Sequence, residues 1–315
     1  SGRTPAPHQD SDPAHAGGVV MNRCQEVFRA LQARARSTAA KSGGSAPTQE
    51  YLTRHLLESF LDRLTRTPHR DSFVLKGGIL LAAYGLRRPT KDADMNAIGT
   101  DVTPDHLRRV VADVLNVVAD DGVVFDLAGT SIRQIREASD YPGFRIRVNA
   151  TIGPWRGVSV WDVSTGDPVI PPPRQICIER ILGSPIYMLG YAVETIIAEK
   201  GVTILERGAS STRWRDYVDI VRLCRQGFDR DELRRSAQAV ANYRGVALEP
   251  VGQHLKGCES IGQAKWSAWR RKERVEDVSE ADLVDQVALV ASYLDPIFCE
   301  RQGSSGSAET TPPST

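Results

Sequence analysis

The segment LKGGILLAAYGLRRPTKDAD, residues 75–94, constrains the fold more than any other part of this 315-residue chain. Phe73–Leu75 predicts a short buried strand, and the pair Gly77–Gly78 separates it from an Ala- and Leu-rich helical turn. A second strand is predicted over residues 92–98, with Asp92 and Asp94 at its start. Residues i and i+2 of a strand point to the same face, about 6 to 7 Å apart. The two carboxylates are therefore expected to share one face.

Two unpaired carboxylates at this spacing repel each other by roughly 3 kcal/mol at an effective dielectric constant of about 20. Such a pair favours a cation, and Mg²⁺ (or Mn²⁺) suits it, because substrate phosphates can complete the shell of a hard ion held by one or two carboxylates. A second metal that activates an attacking hydroxyl needs its own anchor. Asp162, which ends the strand-like run 158–161, fits that role. An isolated D-x-D motif is more often a solvated strand end. The metal site is predicted because strand, glycine pair, helix, D-x-D motif and a later strand aspartate follow one another in this order.

The glycine pair supplies the second half of the predicted site. Backbone amides of Gly77 and Gly78 can approach a triphosphate closely at a helix start, although glycine pairs more often serve turns. Lys76 either adds positive charge there or points away. Together these residues predict a nucleotide-binding site beside the acidic pair.

The rest of the chain predicts a mixed sheet with helices, followed by a helical lobe. Strand-like runs occur at 123–127, 144–152 and 158–163, and helices are predicted at 49–64 and from Pro104, with Thr103 as cap. Three consecutive prolines, 171–173, mark a boundary. The predicted domains are therefore 21–170 and 171–302, with 1–20 and 303–315 disordered. Beyond the boundary, helices are predicted at 187–205, 214–224, 231–243, 261–270 and 281–298.

Composition excludes several classes of protein. With 41% hydrophobic and 25% charged residues, the chain is not largely disordered. Basic residues (40) nearly equal acidic residues (39), so a nucleic-acid partner must be met by a local patch. The five scattered cysteines form no C-x-x-C pair, which argues against a disulfide framework or zinc site and favours a reducing cytoplasm. No apolar run reaches the roughly 18 residues of a membrane span, and residues 1–20 lack the apolar core of a secretory signal.

Five motifs in order resemble those of AbiEii-type nucleotidyltransferase toxins, including the MenT-like members of type IV toxin–antitoxin systems. They are KGG at 76–78, R-x-T-K-D-A-D at 88–94, V-W-D-V-S-T-G-D at 160–167, A-E-K at 198–200 and R-W-R-D-Y-V-D-I at 213–220. The resemblance covers roughly residues 50–225; Arg215 stands where lysine is common. It implies an α+β fold with a polymerase-beta-like nucleotidyltransferase lobe, a small mixed sheet followed by a helical lobe.

The resemblance also implies a function. Such toxins transfer a nucleoside monophosphate, in the MenT-like members a pyrimidine nucleotide, from a nucleoside triphosphate to the 3′ end of tRNA, which blocks aminoacylation. A cognate antitoxin is the implied protein partner. The RNA acceptor is implied by this resemblance alone, so transfer to a protein or small-molecule acceptor stays open. A non-catalytic nucleotide-binding or partner-sequestering module is disfavoured, because a degenerate site should have lost an acidic residue or Lys200.

Residue by residue, the resemblance implies Asp92, Asp94 and Asp162 as metal ligands, and Lys200 and Asp216 as a catalytic pair. Lys200 either shields the leaving pyrophosphate or is an ordinary surface lysine on a helix. Asp219 lies one turn after Asp216, so only one of them need face the site. Asp216 is the preferred candidate, which leaves Asp219 to cap the helix or to pair with Arg222.

Three further predictions concern residues outside the acidic cluster. Arg207 and Arg213 either clamp phosphates or the base, or are solvated loop charges. A phosphoryl group on Thr90 would place a charge near −2 beside the metal site and repel a triphosphate; phosphorylation by an antitoxin kinase is one silencing route in the resembled family. The stretch 265–274 combines basic residues with Trp266 and Trp269, which either stack RNA bases or fill the core.

Overall fold

The computed structural model of the chain describes residues 13–135, 143–208 and 212–299. These residues divide into two compact units. The first contains the described residues up to Asp167 together with Pro172–Tyr191, and the second contains Pro168–Pro171 and the residues from Ala192 onward. The division after Tyr191 differs from the predicted boundary at Pro171, because two strands that follow the prolines belong to the sheet of the first unit.

Seven strands of the described part of the chain form one mixed sheet in the first unit. The strand order is β3-β4-β5-β2-β1-β7-β6; β2–β5 and β1–β7 pair in parallel and the other neighbours antiparallel. The bounds are β1 Phe73–Lys76, β2 Ala93–Ala97, β3 Val124–Ile135, β4 Gly143–Ile152, β5 Trp155–Thr165, β6 Arg174–Ile178 and β7 Ile186–Gly190. The predicted α+β fold, with a mixed sheet followed by a helical region, is confirmed.

Four helices accompany this sheet: α1 Pro13–Ser42, α2 Thr48–Leu64, α3 Gly77–Ala83 and α4 Pro104–Asn116. The Thr103 side chain caps α4 as predicted, by accepting a hydrogen bond from the His106 amide. One buried core joins α1 and α2 to the even-numbered residues of β4; its members include Val27, Leu31, Leu52, Leu56, Ala150 and Ile152. Trp161 of β5 is fully buried between Phe60 and Phe73. Helices α1 and α2 therefore cover the face of β4 and β5 opposite to Asp162.

Helix α1 includes part of the segment that was predicted to be disordered. Residues 13–20 belong to α1, whereas residues 1–12 and the predicted tail 303–315 lie outside the described residues. The apolar side chains Cys24, Val27, Leu31 and Ala35 are buried at helical spacing. Extending such an anchored helix toward its N-terminus needs no new nucleus, so the helix continues into the Gly-containing segment.

The second unit is helical in its described residues. It contains α5 Val193–Arg207, α6 Trp214–Cys224, α7 Arg230–Arg244, α8 Val251–His254, α9 Cys258–Glu273, a 3-10 helix Glu276–Val278 and α10 Leu283–Phe298. The predicted helix 187–205 is wrong at its start, because residues 187–190 lie in β7. The burial of Ile186, Met188 and Gly190 follows the period of two that a strand imposes.

Candidate active site

A row of four charged side chains crosses four neighbouring strands of the sheet. Lys76 of β1 is paired with Asp94 of β2, Asp94 with Asp162 of β5, and Asp162 with Arg145 of β4. Residues that are paired across strands point to the same face. The sheet register thus places two carboxylates side by side, with a cationic residue on either flank.

Asp92, Asp94 and Asp162 converge at this row. One carboxylate oxygen from each lies within 4.8 Å of the other two, and all three residues are half-buried. Thr90 approaches the cluster, because its hydroxyl donates to the backbone carbonyl of Asp92 at 3.2 Å. The structure therefore brings together the three residues that were predicted as metal ligands.

Arg145 is a part of this site that the sequence analysis missed. Its guanidinium donates from Nε to Oδ1 of Asp162 at 2.8 Å and from Nη2 to Oδ2 at 2.6 Å. This bidentate pair, helped by the charges of Asp92 and Asp94, raises the pKa of Arg145. Arg145 consequently fixes the Asp162 carboxylate and offsets part of the repulsion among the three acids.

The glycine pair has a steric role beside the acidic cluster. Gly77 has φ +68°, and a Cβ atom added to it would lie 2.0 Å from Oδ2 of Asp94. A Cβ atom on Gly78 would lie 2.8 Å from the Thr90 hydroxyl oxygen. The missing side chains make room for Asp94 and Thr90. Contact of the two backbone amides with a triphosphate stays a prediction.

Lys76 points toward a buried acid at the end of the neighbouring loop. Its Nζ donates to Oδ2 of Asp167 at 3.1 Å and lies 5.6 Å from the centre of the Tyr191 ring. Asp167 is also held through its backbone carbonyl, which accepts a hydrogen bond from Asn96 at 2.9 Å. The sequence predicted that Lys76 either adds charge beside the triphosphate or points away. The observed contact is an ion pair with Asp167 in the turn after β5.

The second unit contains a separate buried ion-pair network. Nζ of Lys200 on α5 donates to Oδ1 of Asp216 at 2.6 Å and to Oδ2 of Asp219 at 2.9 Å, both on α6. Arg213 donates from Nε to the other oxygen of Asp216 at 2.6 Å. Both aspartates therefore contact Lys200, whereas the sequence predicted a cap or an Arg222 partner for Asp219.

The network shifts the pKa values of its members. Burial alone would lower the pKa of Lys200, but the two neighbouring carboxylates raise it above its ordinary value. Burial acts to raise the pKa of Asp216, yet Lys200 and Arg213 bring it below its ordinary value. Lys200 is thus held in its charged form, in a fixed position rather than as a mobile surface lysine.

Comparison with known proteins assigns the chain to a family. The family model described as "Nucleotidyl transferase AbiEii toxin, Type IV TA system" matches residues 59–286, well over half of the chain. The chain belongs to this family. The match contains both ion clusters and confirms the resemblance found in the five sequence motifs.

Two solved structures are similar to this AbiEii nucleotidyltransferase. A protein from H. pylori described as a nucleotidyltransferase shares 13% identity at a TM-score of 0.44, over 79% of this chain and 95% of that one. JHP933 from Helicobacter pylori shares 16% identity at a TM-score of 0.43, over 79% of this chain and 92% of that one. No curated protein matches the chain. Among the described residues, none of the helices combines the length and apolar character that a membrane span requires.

The donors of the acidic cluster fit a divalent cation. Carboxylate oxygens are the ligands that Mg²⁺ prefers. Three such oxygens, one each from Asp92, Asp94 and Asp162, lie within 4.8 Å of one another. The cradle is also shaped for the acids, since Gly77 leaves the space that the Asp94 carboxylate fills.

The remaining predicted residues of this AbiEii nucleotidyltransferase differ in environment. Arg207 is exposed at the end of α5. Trp266 is fully buried and packs with Trp214 and Trp269, so for Trp266 the core reading is correct. Arg270 donates to the hydroxyl and carbonyl oxygens of Ser279, whereas Arg271, Lys272 and Arg274 are exposed.

Proposed function

We propose that this AbiEii nucleotidyltransferase uses Mg²⁺ (or Mn²⁺) to transfer a nucleoside monophosphate, a pyrimidine nucleotide, from a nucleoside triphosphate to the 3′ end of an RNA, namely tRNA. The observation that carries the proposal is the convergence of Asp92, Asp94 and Asp162 within 4.8 Å on one sheet face. Phosphoryl-group transfer of this kind depends on positioning and charge stabilisation, which an acidic cluster with bound divalent cations supplies.

In the proposed reaction, the 3′ hydroxyl oxygen attacks the α-phosphorus and the bond to pyrophosphate breaks on the opposite side. Asp92, Asp94 and Asp162 would hold the divalent cation, which would supply Lewis-acid charge for the transfer. Arg145 keeps the Asp162 carboxylate oriented through its two hydrogen bonds. The hydroxyl proton passes to a carboxylate of the acidic cluster.

Lys200 and Asp216 complete the proposal. Lys200 carries positive charge for the leaving pyrophosphate, and Asp216 keeps that lysine charged and in place. Arg207 and Arg213 are proposed to contact phosphates, with Arg213 already oriented by Asp216.

The proposed biological outcome is arrest of translation and growth, because a nucleotide added to the 3′ end of tRNA blocks aminoacylation. The proposed protein partner is a cognate antitoxin. Phosphorylation of Thr90 is a proposed means of silencing: the hydroxyl lies beside Asp92, so a phosphoryl group would bring a charge near −2 to the acidic cluster.

Transfer is tested by incubating the full chain and Mg²⁺ with each of the four α-labelled triphosphates, total RNA and total cell protein. Label is expected in RNA of tRNA size with a pyrimidine triphosphate, and chelation of the metal should abolish it. Asp94→Asn should lose the activity, whereas Asp105→Asn, an exposed carboxylate on α4, should retain it. Label in protein alone would replace RNA by a protein acceptor, and growth inhibition that survives Asp94→Asn would favour a non-catalytic binding module.

A further inference from the structure

The face of the sheet that carries Asp162 continues into a positively charged surface on β4 and β3. Arg145 pairs with Asp162, Arg133 of β3 lies directly opposite Arg145, and Arg147 lies two residues further along β4. All three point to one face, because cross-strand partners and alternate residues of a strand share a side. We call Arg133, Arg145 and Arg147 the arginine face.

The arginine face is open to solvent. The odd-numbered side chains of β4 point away from the core that α1 and α2 form with Ala150 and Ile152. Arg133 and Arg147 are exposed, and the side chain of Arg145 is 43% exposed. Asp126, one row beyond Arg147 on β3, marks the far limit of this positive surface.

The arrangement works against the stability of the strand pair. Like charges directly opposite each other destabilise a sheet, and Arg133 faces Arg145 in this way. Asp162 compensates only Arg145, and no other described residue forms an ion pair with Arg133 or Arg147. A cluster of exposed arginines on one sheet face is typical of a surface that binds a polyanion, since arginine recognises phosphates in a bidentate manner.

The position of the arginine face indicates which phosphates it meets. Along the charged row, the glycine pair and Lys76 lie on the β1 side of the acidic cluster, and the arginine face lies on the β4 side. The triphosphate is proposed to sit on the β1 side. In-line transfer requires the attacking hydroxyl to approach from the side opposite to the leaving group, so the acceptor should arrive from the β4 side.

We infer that the arginine face binds the phosphate backbone of the acceptor RNA next to its 3′ end. This inference rests on the proposed function, because it assumes that the acceptor is RNA. It places an RNA contact on the sheet of the first unit, in addition to the basic stretch predicted in the second.

The test compares Arg133→Gln/Arg147→Gln with a matched control, Arg108→Gln/Arg109→Gln, which removes the same charge from exposed positions on α4. The full chain is titrated into a fluorescein-labelled single-stranded RNA with a free 3′ hydroxyl at several salt concentrations, and binding of a fluorescent triphosphate with Mg²⁺ is measured in parallel. Loss of two phosphate contacts should reduce the magnitude of the slope of log K against log salt by about 1.4 and weaken RNA binding about tenfold near physiological salt. Triphosphate affinity and the melting temperature should stay at the wild-type values.

The inference is overturned if the double variant binds RNA as the wild type and the control do, or if triphosphate affinity falls as much as RNA affinity. The first outcome, together with label in RNA for the wild type, would refute the arginine face and leave the proposed function intact. A wild-type chain that labels only protein and binds no RNA would refute both.

Discussion

Replacing Gly77 by alanine tests whether the glycine pair exists to seat the Asp94 carboxylate. The added Cβ atom would lie 2.0 Å from Oδ2, 2.7 Å from Cγ and 2.8 Å from Cβ of Asp94. Rotation about the Asp94 side chain cannot relieve the contact with its own Cβ, so the two strands β1 and β2 must separate slightly or Asp94 must tilt as a unit. Either movement displaces the carboxylate from the acidic cluster.

The size of the effect follows from the distances. To reach ordinary van der Waals contact at 3.4 Å, Oδ2 of Asp94 must move by about 1.4 Å. A misplacement of about 1 Å at a reacting centre costs about 100-fold in rate. Gly77 also has φ +68°, and a side chain in this left-handed region costs about 1 to 2 kcal/mol. We expect nucleotidyl transfer to fall at least about 100-fold and the free energy of unfolding to fall by about 1 to 2 kcal/mol or slightly more.

Gly85 provides a control that separates these two effects. It has the same φ of +68° but no atom within 4 Å of an added Cβ, so Gly85→Ala carries the backbone strain without the contact with Asp94. Initial rates of pyrophosphate release and urea unfolding are measured for both variants, together with Mn²⁺ affinity. Gly85→Ala should lose similar stability and keep its rate and metal affinity. Equal rates for the two variants would refute the seating of Asp94 by Gly77.

Two further predictions concern buried ionisable groups. Lys200→Met leaves two buried carboxylates without their shared cation, so it should lower the free energy of unfolding by about 3 to 5 kcal/mol, measured in urea. Lys265→Met, at an exposed position, should change this free energy little. A loss below about 1 kcal/mol for Lys200→Met at neutral pH would contradict the ion-pair network. Burial lowers the pKa of His55, so on acidification the histidine is protonated in the unfolded chain before it is protonated in the folded one. The free energy of unfolding should therefore fall as pH drops below about 6.5. This fall should exceed that of His55→Gln by up to about 1.4 kcal/mol per pH unit. Parallel stability–pH curves from pH 7 to 5 would contradict the second prediction.

The sequence predicted those elements whose periodicity is unbroken. Helix α6 begins and ends where the pattern placed it, and α2 and α4 agree within a residue at the ends that were specified. Strands β6 and β7 were missed, because five residues with two or three buried positions give little periodic signal and β7 runs directly toward the helical segment 193–207. Helix α1 was missed although its buried stripe has helical spacing, since its arginines and alanines dilute the apolar pattern.

The strand pairings that form the site could also be predicted only in part from the sequence. The pairing of Asp94 with Asp162 joins parallel strands far apart in the chain, and no local pattern fixes that register. The pairing of Arg145 with Asp162 is different, because β4 and β5 form a hairpin that closes at the pair Ile152–Trp155 around Gly153 and Pro154. Once that two-residue turn is recognised, counting back along both strands places Arg145 opposite Asp162. The predicted second strand begins at Val158 and therefore leaves out the turn that places Arg145 beside the third carboxylate. The hairpin turn between β4 and β5 therefore determines which cation lies next to Asp162.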